Sequence, residues 1–172
     1  MKRIFTSTIC ILIPILLQAK PALDIVLNSS QTTNPFGVAF DGKGKVYIAE
    51  YQGQRILLLG PEGKLRTFSG NGEKGFAGDG LDAKEAVYNG IHNVVRASNG
   101  DLYVSDTRNN LIRKIDGKTD ITSTIAGMPG KKGFSGDGGL ASRAKLADPI
   151  SISLSPDEKT VLIADIQNKR IR

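Results

Sequence analysis

The chain has 172 residues, which is enough for one ordinary domain. Its formal net charge of +6 is a mild excess, and its lysines and arginines are spread along the chain with no run of five or more. A concentrated basic tail is therefore excluded, and the composition indicates a solvated surface with some attraction for anionic partners.

The N-terminal segment has the pattern of a secretory signal peptide. Two basic residues precede an apolar run over residues 9–17, and the small residue Ala19 follows. The run is shorter than the ~20 residues that span a bilayer, so no membrane span is expected. We predict a signal peptide over residues 1–19, cut after Ala19 or after Ala22, and a secreted or periplasmic location. A buried N-terminal helix is the alternative.

The cysteine count limits how the mature protein can be held together. The only cysteine, Cys10, lies within the predicted signal peptide. An exported chain without disulfides depends on its hydrophobic core for stability.

After a leader over residues 20–34, one strand pattern occurs three times. The copies are Val46–Glu50, Leu102–Asp106 and Val161–Asp165. Their spacing of about 57 residues is typical of an array of one supersecondary unit. Each copy is apolar without alternation, which indicates a strand that is covered on both faces.

These patterns predict an all-β fold, a β-propeller of four-stranded antiparallel blades, in which neighbouring blades cover each other's faces. A β-sandwich is the alternative, but it gives no reason for a regular repeat. The predicted strands are residues 37–40, 46–49, 55–59 and 65–68 in the first unit, 94–97, 102–105, 111–115 and 121–126 in the second, and 152–154, 161–164 and 170–172 in the third.

A glycine-rich insert precedes the second unit and another precedes the third. Residues 75–80 read Gly-Phe-Ala-Gly-Asp-Gly and residues 133–138 read Gly-Phe-Ser-Gly-Asp-Gly, each followed by two alanines. Asp79, Asp82 and Asp137 with nearby carbonyls could bind calcium. We favour a structural role instead: the Phe fills space between blades, the Asp closes a turn, and the alanines start a short helical step. In a ring of blades such loops share one face, where repeat proteins bind.

An acidic residue ends the recurring strand in every unit: Glu50, Asp106 and Asp165. These carboxylates could form a ring that holds a cation. We favour the interpretation that each carboxylate accepts hydrogen bonds from backbone N–H groups of its own following turn.

Three segments resemble NHL repeats, most closely Gly100–Ile115, with related copies around residues 35–56 and 149–172. The inserts resemble those of exported bacterial NHL proteins. The resemblance implies a β-propeller, commonly of six blades, of which residues 35–172 hold about three. We therefore favour a truncated sequence; self-association that closes the ring is the alternative.

His92 is the only histidine, and it occupies the position of Phe36 and Ile150 in the other units, where the innermost strand begins. Among relatives of this fold, peptidyl-hydroxyglycine lyases carry Pro-His at this point and several such histidines bind zinc. A zinc site needs three or four ligands. One histidine does not supply them, so we favour a histidine that forms hydrogen bonds at the channel mouth. No cofactor is expected, because neither zinc nor calcium has a complete ligand set.

The leading functional hypothesis is an exported propeller that acts as a scaffold for binding a protein, peptide or glycan. The alternative is a metal-dependent enzyme of the lyase or lactonase type that uses the propeller channel. Catalysis stays open, although no nucleophile with a base partner can be identified. RNA binding through Lys74, Lys131, Lys132 and Arg108 is a third hypothesis, which the signal peptide disfavours. The candidate binding residues are His92, Phe36, Ile150, Phe76, Asp79, Phe134, Asp137 and Arg108.

Overall fold

The computed structural model describes residues 26–172, so the predicted signal peptide and the first part of the leader lie outside it. The strands are β1 (Pro35–Phe40), β2 (Val46–Glu50), β3 (Arg55–Leu59), β4 (Leu65–Ser69), β5 (Ile91–Arg96), β6 (Leu102–Asp106), β7 (Leu111–Ile115), β8 (Thr122–Ala126), β9 (Pro149–Leu154), β10 (Val161–Asp165) and β11 (Arg170–Ile171). Short 3₁₀ helices cover Ala83–Glu85, Thr107–Asn109 and Ala141–Arg143. Within residues 26–172 there is no helix of the length and apolarity that crossing a bilayer requires.

The strands form three antiparallel sheets in sequence order, which we call blade 1 (β1–β4), blade 2 (β5–β8) and blade 3 (β9–β11). The predicted all-β architecture is confirmed. Neighbouring blades contact each other through their first strands, β1, β5 and β9, which are therefore the inner strands.

The inner strands begin earlier than the sequence pattern predicts. β5 starts at Ile91 rather than at residue 94, and β9 starts at Pro149 rather than at residue 152. The pairing register shifts between Ile91 and Asn93, as in a β-bulge, so His92 extends the strand without apolar alternation.

The core lies between facing blades. Tyr47 and Leu58 of blade 1 belong to one buried cluster with Val94 and Val104 of blade 2. On the other side of blade 2, Ile112 belongs to a second cluster with residues of blade 3. Blade 2 is therefore covered on both faces, as the continuous apolar pattern of its second strand predicts.

One backbone conformation recurs where the chain enters each inner strand. Asn34, Gly90 and Asp148 have φ angles of 51°, 68° and 51°. The left-handed region is tolerated by Gly and by the short polar side chains of Asn and Asp. This residue turns the chain into the first strand of the blade.

Candidate functional site

Each glycine-rich insert packs against an arginine of the blade that follows it. The side chain of Arg113 is fully buried, and it forms a salt bridge with Asp79 Oδ1 at 2.8 Å. Its second nitrogen lies 3.6 Å from Asp106 Oδ2. The guanidinium also lies over the rings of Phe76 and Tyr88, at 5.0 and 5.5 Å. Buried charge is thereby matched by two carboxylates and two aromatic faces.

The same arrangement occurs in blade 3. Arg172 pairs with Asp137 at 2.5 Å and with Asp165 at 3.2 Å, and it lies 5.3 Å from the ring of Phe134. In blade 1 the equivalent position is Leu57. The arginines were not singled out from the sequence, although both follow the strand-end acid at the same offset.

These contacts revise the predicted roles of the inserts. The short helical step is confirmed, because 3₁₀ helices begin at Ala83 and Ala141. The phenylalanines do not fill space between blades: Phe76 is 39% exposed and Phe134 is 47% exposed, because each ring covers an arginine. Asp79 and Asp137 lie in turns, in which Leu81 N–H donates to the Gly78 carbonyl and Gly139 N–H to the Gly136 carbonyl, and their carboxylates also pair with arginines.

The strand-end acids have hydrogen-bond donors within their own blades. The predicted donors, backbone N–H groups of the following turn, are replaced by N–H groups of the segment that enters the inner strand. The donors are Thr33 for Glu50 (2.6 Å), Asn89 for Asp106 (2.8 Å) and Ala147 for Asp165 (2.7 Å). The following turn contributes an asparagine side chain to two of the acids, Asn109 and Asn168. Each acid thus links the second strand of a blade to the entry of its first strand.

Burial strongly shifts the pKa of Asp106, the strand-end acid of blade 2. It raises the pKa of Asp106 to about 6, although hydrogen bonds from Asn109 and Asn89 and the charge of Arg113 act in the opposite direction. Desolvation of a carboxylate always favours its neutral form.

Three rings meet where β1 and β5 begin, and we call them the aromatic cluster. The centroid of the Phe36 ring lies 4.6 Å from that of His92, in an edge-to-face arrangement. Tyr51 lies 4.7 Å from His92 and 5.5 Å from Phe36. Such geometries are favourable for aromatic pairs. Tyr51 was not singled out from the sequence, although it directly follows the strand-end acid Glu50.

Arg108 completes the cluster on its polar side. Its Nε donates to the hydroxyl of Tyr51 at 3.1 Å, and its guanidinium lies 3.9 Å from Asp148. A pocket of about 440 Å³ opens beside it. The pocket is lined by Tyr51, Gln52, Gln54, Lys74, Asn89, Gly90 and Arg108.

The structure therefore places the predicted site residues in separate groups. Phe36, His92 and Arg108 come together around Tyr51. Ile150 holds the equivalent place in β9, where its carbonyl accepts a hydrogen bond from Ser105 Oγ at 2.9 Å. The insert residues Phe76, Asp79, Phe134 and Asp137 engage the two arginines instead.

The imidazole of His92 contacts the rings of Phe36 and Tyr51. Its Nδ1 is buried and has no hydrogen-bond partner among the described residues. Burial lowers the pKa of His92, and the charge of Arg108 lowers it further, against smaller opposite effects of the Gly90 backbone and Asp148. Over residues 26–172, no three His, Cys, Asp or Glu side chains are grouped so as to hold a metal ion.

Comparison with known proteins identifies the repeat, although no family model matches the chain. NHL repeat-containing protein 2 of Bos taurus is 33% identical over 112 residues, which are 61% of this chain and 15% of that protein. Its Gallus gallus counterpart is 36% identical over 106 residues, 61% of this chain and 14% of that protein. The predicted resemblance to NHL repeats is confirmed. The chain spans only a small part of the length of these relatives.

Solved structures agree with the NHL-repeat fold. A structural genomics protein of unknown function from Bacteroides thetaiotaomicron superposes with a TM-score of 0.70 at 22% identity, over 80% of this chain and 34% of that one. An auxiliary nutrient binding protein from the same organism superposes with a TM-score of 0.59 at 21% identity, over 78% and 35%. The NHL repeats thus build a β-propeller scaffold.

Proposed function

We propose that this NHL-repeat propeller is an exported binding scaffold, and that its ligand is a protein, peptide or glycan bound at the aromatic cluster and the pocket beside Arg108. Of these ligands, a glycan fits the chemistry of the site best. The observation that carries the proposal is the contact of Phe36, Tyr51 and His92 at the edge of a polar pocket.

The cluster has the features of a binding surface rather than of core packing. Phe36 is 58% exposed, yet its ring is fixed against two neighbours. A rigid aromatic face offers contact area at little entropic cost. The exposed face of the Phe36 ring can stack on the C–H groups of a sugar ring. A phenylalanine of the core would instead be covered by other side chains.

The pocket supplies the polar groups that fix orientation. Gln52 and Lys74 line it together with Arg108, whose Nε bonds to Tyr51. The amide of Gln52 can donate and accept hydrogen bonds with sugar hydroxyls, and the cations Lys74 and Arg108 can donate them. Concave sites that combine aromatic walls with a few polar groups are the usual form of small-ligand sites.

Export rests on the signal-peptide pattern of residues 1–19. Similarity in fold to an auxiliary nutrient binding protein is compatible with it. Expression of the gene with a C-terminal tag in its source, followed by N-terminal sequencing of the exported form, tests this part. We expect a mature start at Lys20 or at Leu23; an uncut intracellular product would refute export.

Ligand binding is tested with a glycan array followed by calorimetry on the best ligand. Phe36→Ala and Tyr51→Ala should each weaken binding about tenfold, because each removes a stacking face. Phe40→Ala is the matched control, since Phe40 is an exposed phenylalanine at the other end of the same strand. Retention of no glycan, or equal losses for Phe36→Ala and Phe40→Ala, would contradict the proposal.

A further inference from the structure

A second pocket lies at the opposite end of blades 1 and 2. The aromatic cluster lies where β1 begins and β2 ends, whereas this pocket includes the turn that joins β1 to β2. Its volume is about 310 Å³. It is lined by Asp41, Lys43, Lys45, Tyr47, Leu58, Arg66, Phe68, Arg96, Gly100, Leu102, Gly117 and Asp120.

The strand register explains why cations converge there. Tyr47 pairs with Leu58, and Leu58 pairs with Arg66, so these three side chains share the face of blade 1 that is turned to blade 2. Lys45 lies two residues before Tyr47 and belongs to the same side. Arg96, at the end of β5, approaches from blade 2.

The pocket carries more positive than negative charge. Lys43, Lys45, Arg66 and Arg96 line it with only Asp41 and Asp120. The carboxylate of Asp41 is engaged within its own turn, because its Oδ1 accepts hydrogen bonds from the backbone N–H groups of Lys43 and Lys45 at 2.7 and 2.9 Å. Among residues 26–172, none of the four cations forms an ion pair with a carboxylate.

Packing holds Arg66 and Arg96 in place, but within the described residues their guanidinium groups have hydrogen-bond donors without partners. The guanidinium of Arg66 lies 5.9 Å from the ring of Phe68, which is itself packed edge-to-face on Tyr47 at 5.1 Å. The Nε of Arg96 is buried and has no hydrogen-bond partner in the described part of the chain. Its Nη1 makes only a long hydrogen bond of 3.4 Å to the Ala97 carbonyl. A buried donor without a partner favours a ligand that accepts its hydrogen bond.

We propose that this pocket binds a small phosphorylated or sulfated molecule, the monoester of a sugar-sized alcohol. Guanidinium groups match the oxygens of such esters geometrically, and the lysines add point charges. The volume is at the lower end of the ~300–1,000 Å³ range of ligand pockets, which suits one sugar ring with its ester group. This inference does not depend on the proposed function, because the two sites share no residue.

The test is calorimetry on the full chain with glucose 6-phosphate, glucose 6-sulfate and glucose. We expect at least one ester to bind about tenfold or more tightly than glucose, and raising NaCl from about 0.05 to 0.3 M to weaken that binding. Preference for one ester identifies which monoester the pocket takes. Ester binding no tighter than that of glucose would overturn the inference.

Substitutions locate the binding. The double variant Lys45→Gln, Arg66→Gln changes two exposed side chains and should lower ester affinity about tenfold or more. Arg96→Gln should lower it independently. Arg143→Gln is the control, because it removes one exposed arginine on the 3₁₀ helix that precedes blade 3. Unchanged affinity in the double variant, or an equal loss in the control, would refute the site; circular dichroism checks the fold of every variant.

Discussion

The guanidinium of Arg113, fully buried in blade 2, forms a salt bridge with Asp79 of the preceding insert at 2.8 Å. The insert is therefore tied to the blade it precedes through one charge pair. Asp79 itself is partly exposed. Losing it would leave a buried cation with one carboxylate, Asp106, at a longer distance of 3.6 Å.

We expect Asp79→Ala to destabilise the protein by about 1–3 kcal/mol, because an arginine that cannot reach water loses its nearest counter-charge. Urea denaturation followed by circular dichroism measures the change. Glu85→Ala is the control, since Glu85 is an exposed acid of the same insert without an ion pair among the described residues. Equal stability of the Asp79→Ala variant and the wild type would show that the pair contributes nothing.

Replacing both Asp79 and Arg113 should lower the free energy of unfolding less than the effect of Asp79→Ala alone implies. Arg113→Leu in the Asp79→Ala background removes the buried guanidinium, while Asp106 keeps its hydrogen bonds from Asn89 and Asn109. A leucine, Leu57, stands at the equivalent position of blade 1. We expect the double variant to be at least as stable as Asp79→Ala alone. A strictly additive further loss would argue against coupling of the two residues.

Gly90 should be intolerant of a side chain. Its φ angle is +68°, and an added Cβ would lie 2.7 Å from Tyr51 Cε2 and 2.8 Å from Arg108 Cγ. We expect Gly90→Ala to cost about 1–3 kcal/mol and to weaken ligand binding, because Tyr51 and Arg108 must move. Gly63→Ala is the matched control: φ is +77°, but no atom lies within 4 Å, so only backbone strain is added.

His92 should titrate below its ordinary value of 6.5, chiefly because it is buried and secondarily because of Arg108. As the only histidine of the chain, it gives unambiguous NMR signals. Its contribution to stability is complete above the unfolded pKa and is lost as pH falls through the folded pKa, since the unfolded chain binds the proton first.

Arg108→Gln should raise the titration midpoint of His92, because one source of positive charge is removed while Asp148 stays. The same NMR titration on this variant measures the shift. A midpoint at or above 6.5 in the wild type, or no change in Arg108→Gln, would contradict the electrostatic description of the cluster.

The pKa of Tyr88 leads to a prediction about stability at alkaline pH. Burial raises its pKa to about 12, partly offset by the hydrogen bond to Ser69 and the charge of Arg113. Between its ordinary value of 10 and about 12, the unfolded chain ionises Tyr88 and the folded chain does not, so stability should fall with rising pH. The variant Tyr88→Phe should lose less stability over this interval in urea titrations; parallel curves for both proteins would refute this.

Sequence reasoning succeeded where packing alone decides the structure. The second strand of each blade reads as a continuous apolar run, so Val46–Glu50 and Val161–Asp165 were found almost to the residue. It was less accurate at the start of β5, where a bulge carries the polar residues His92 and Asn93 into the strand. Alternation is absent there, and only the pairing partner reveals the strand.

The candidate site was predicted in part. His92 and Phe36 stood out by their equivalent positions, but Tyr51 belongs to a turn, and its approach to both follows from the folded blade. Arg113 was missed because an arginine within a strand normally indicates a solvated face. Its partners Phe76 and Asp79 lie far away in sequence, so no local pattern shows that the charge is matched.

The pairing of Asp79 with Arg113 also helps to select the blade on which the insert docks during folding. A chain of similar units can dock its sheets in the wrong order during folding, because their apolar faces resemble each other. An insert that met the wrong face would find Leu57 where it needs a guanidinium, and its own acid would be left without a partner. The charge pair therefore discriminates blade 1 from the blades that follow an insert, although hydrophobic contacts alone treat them as equal.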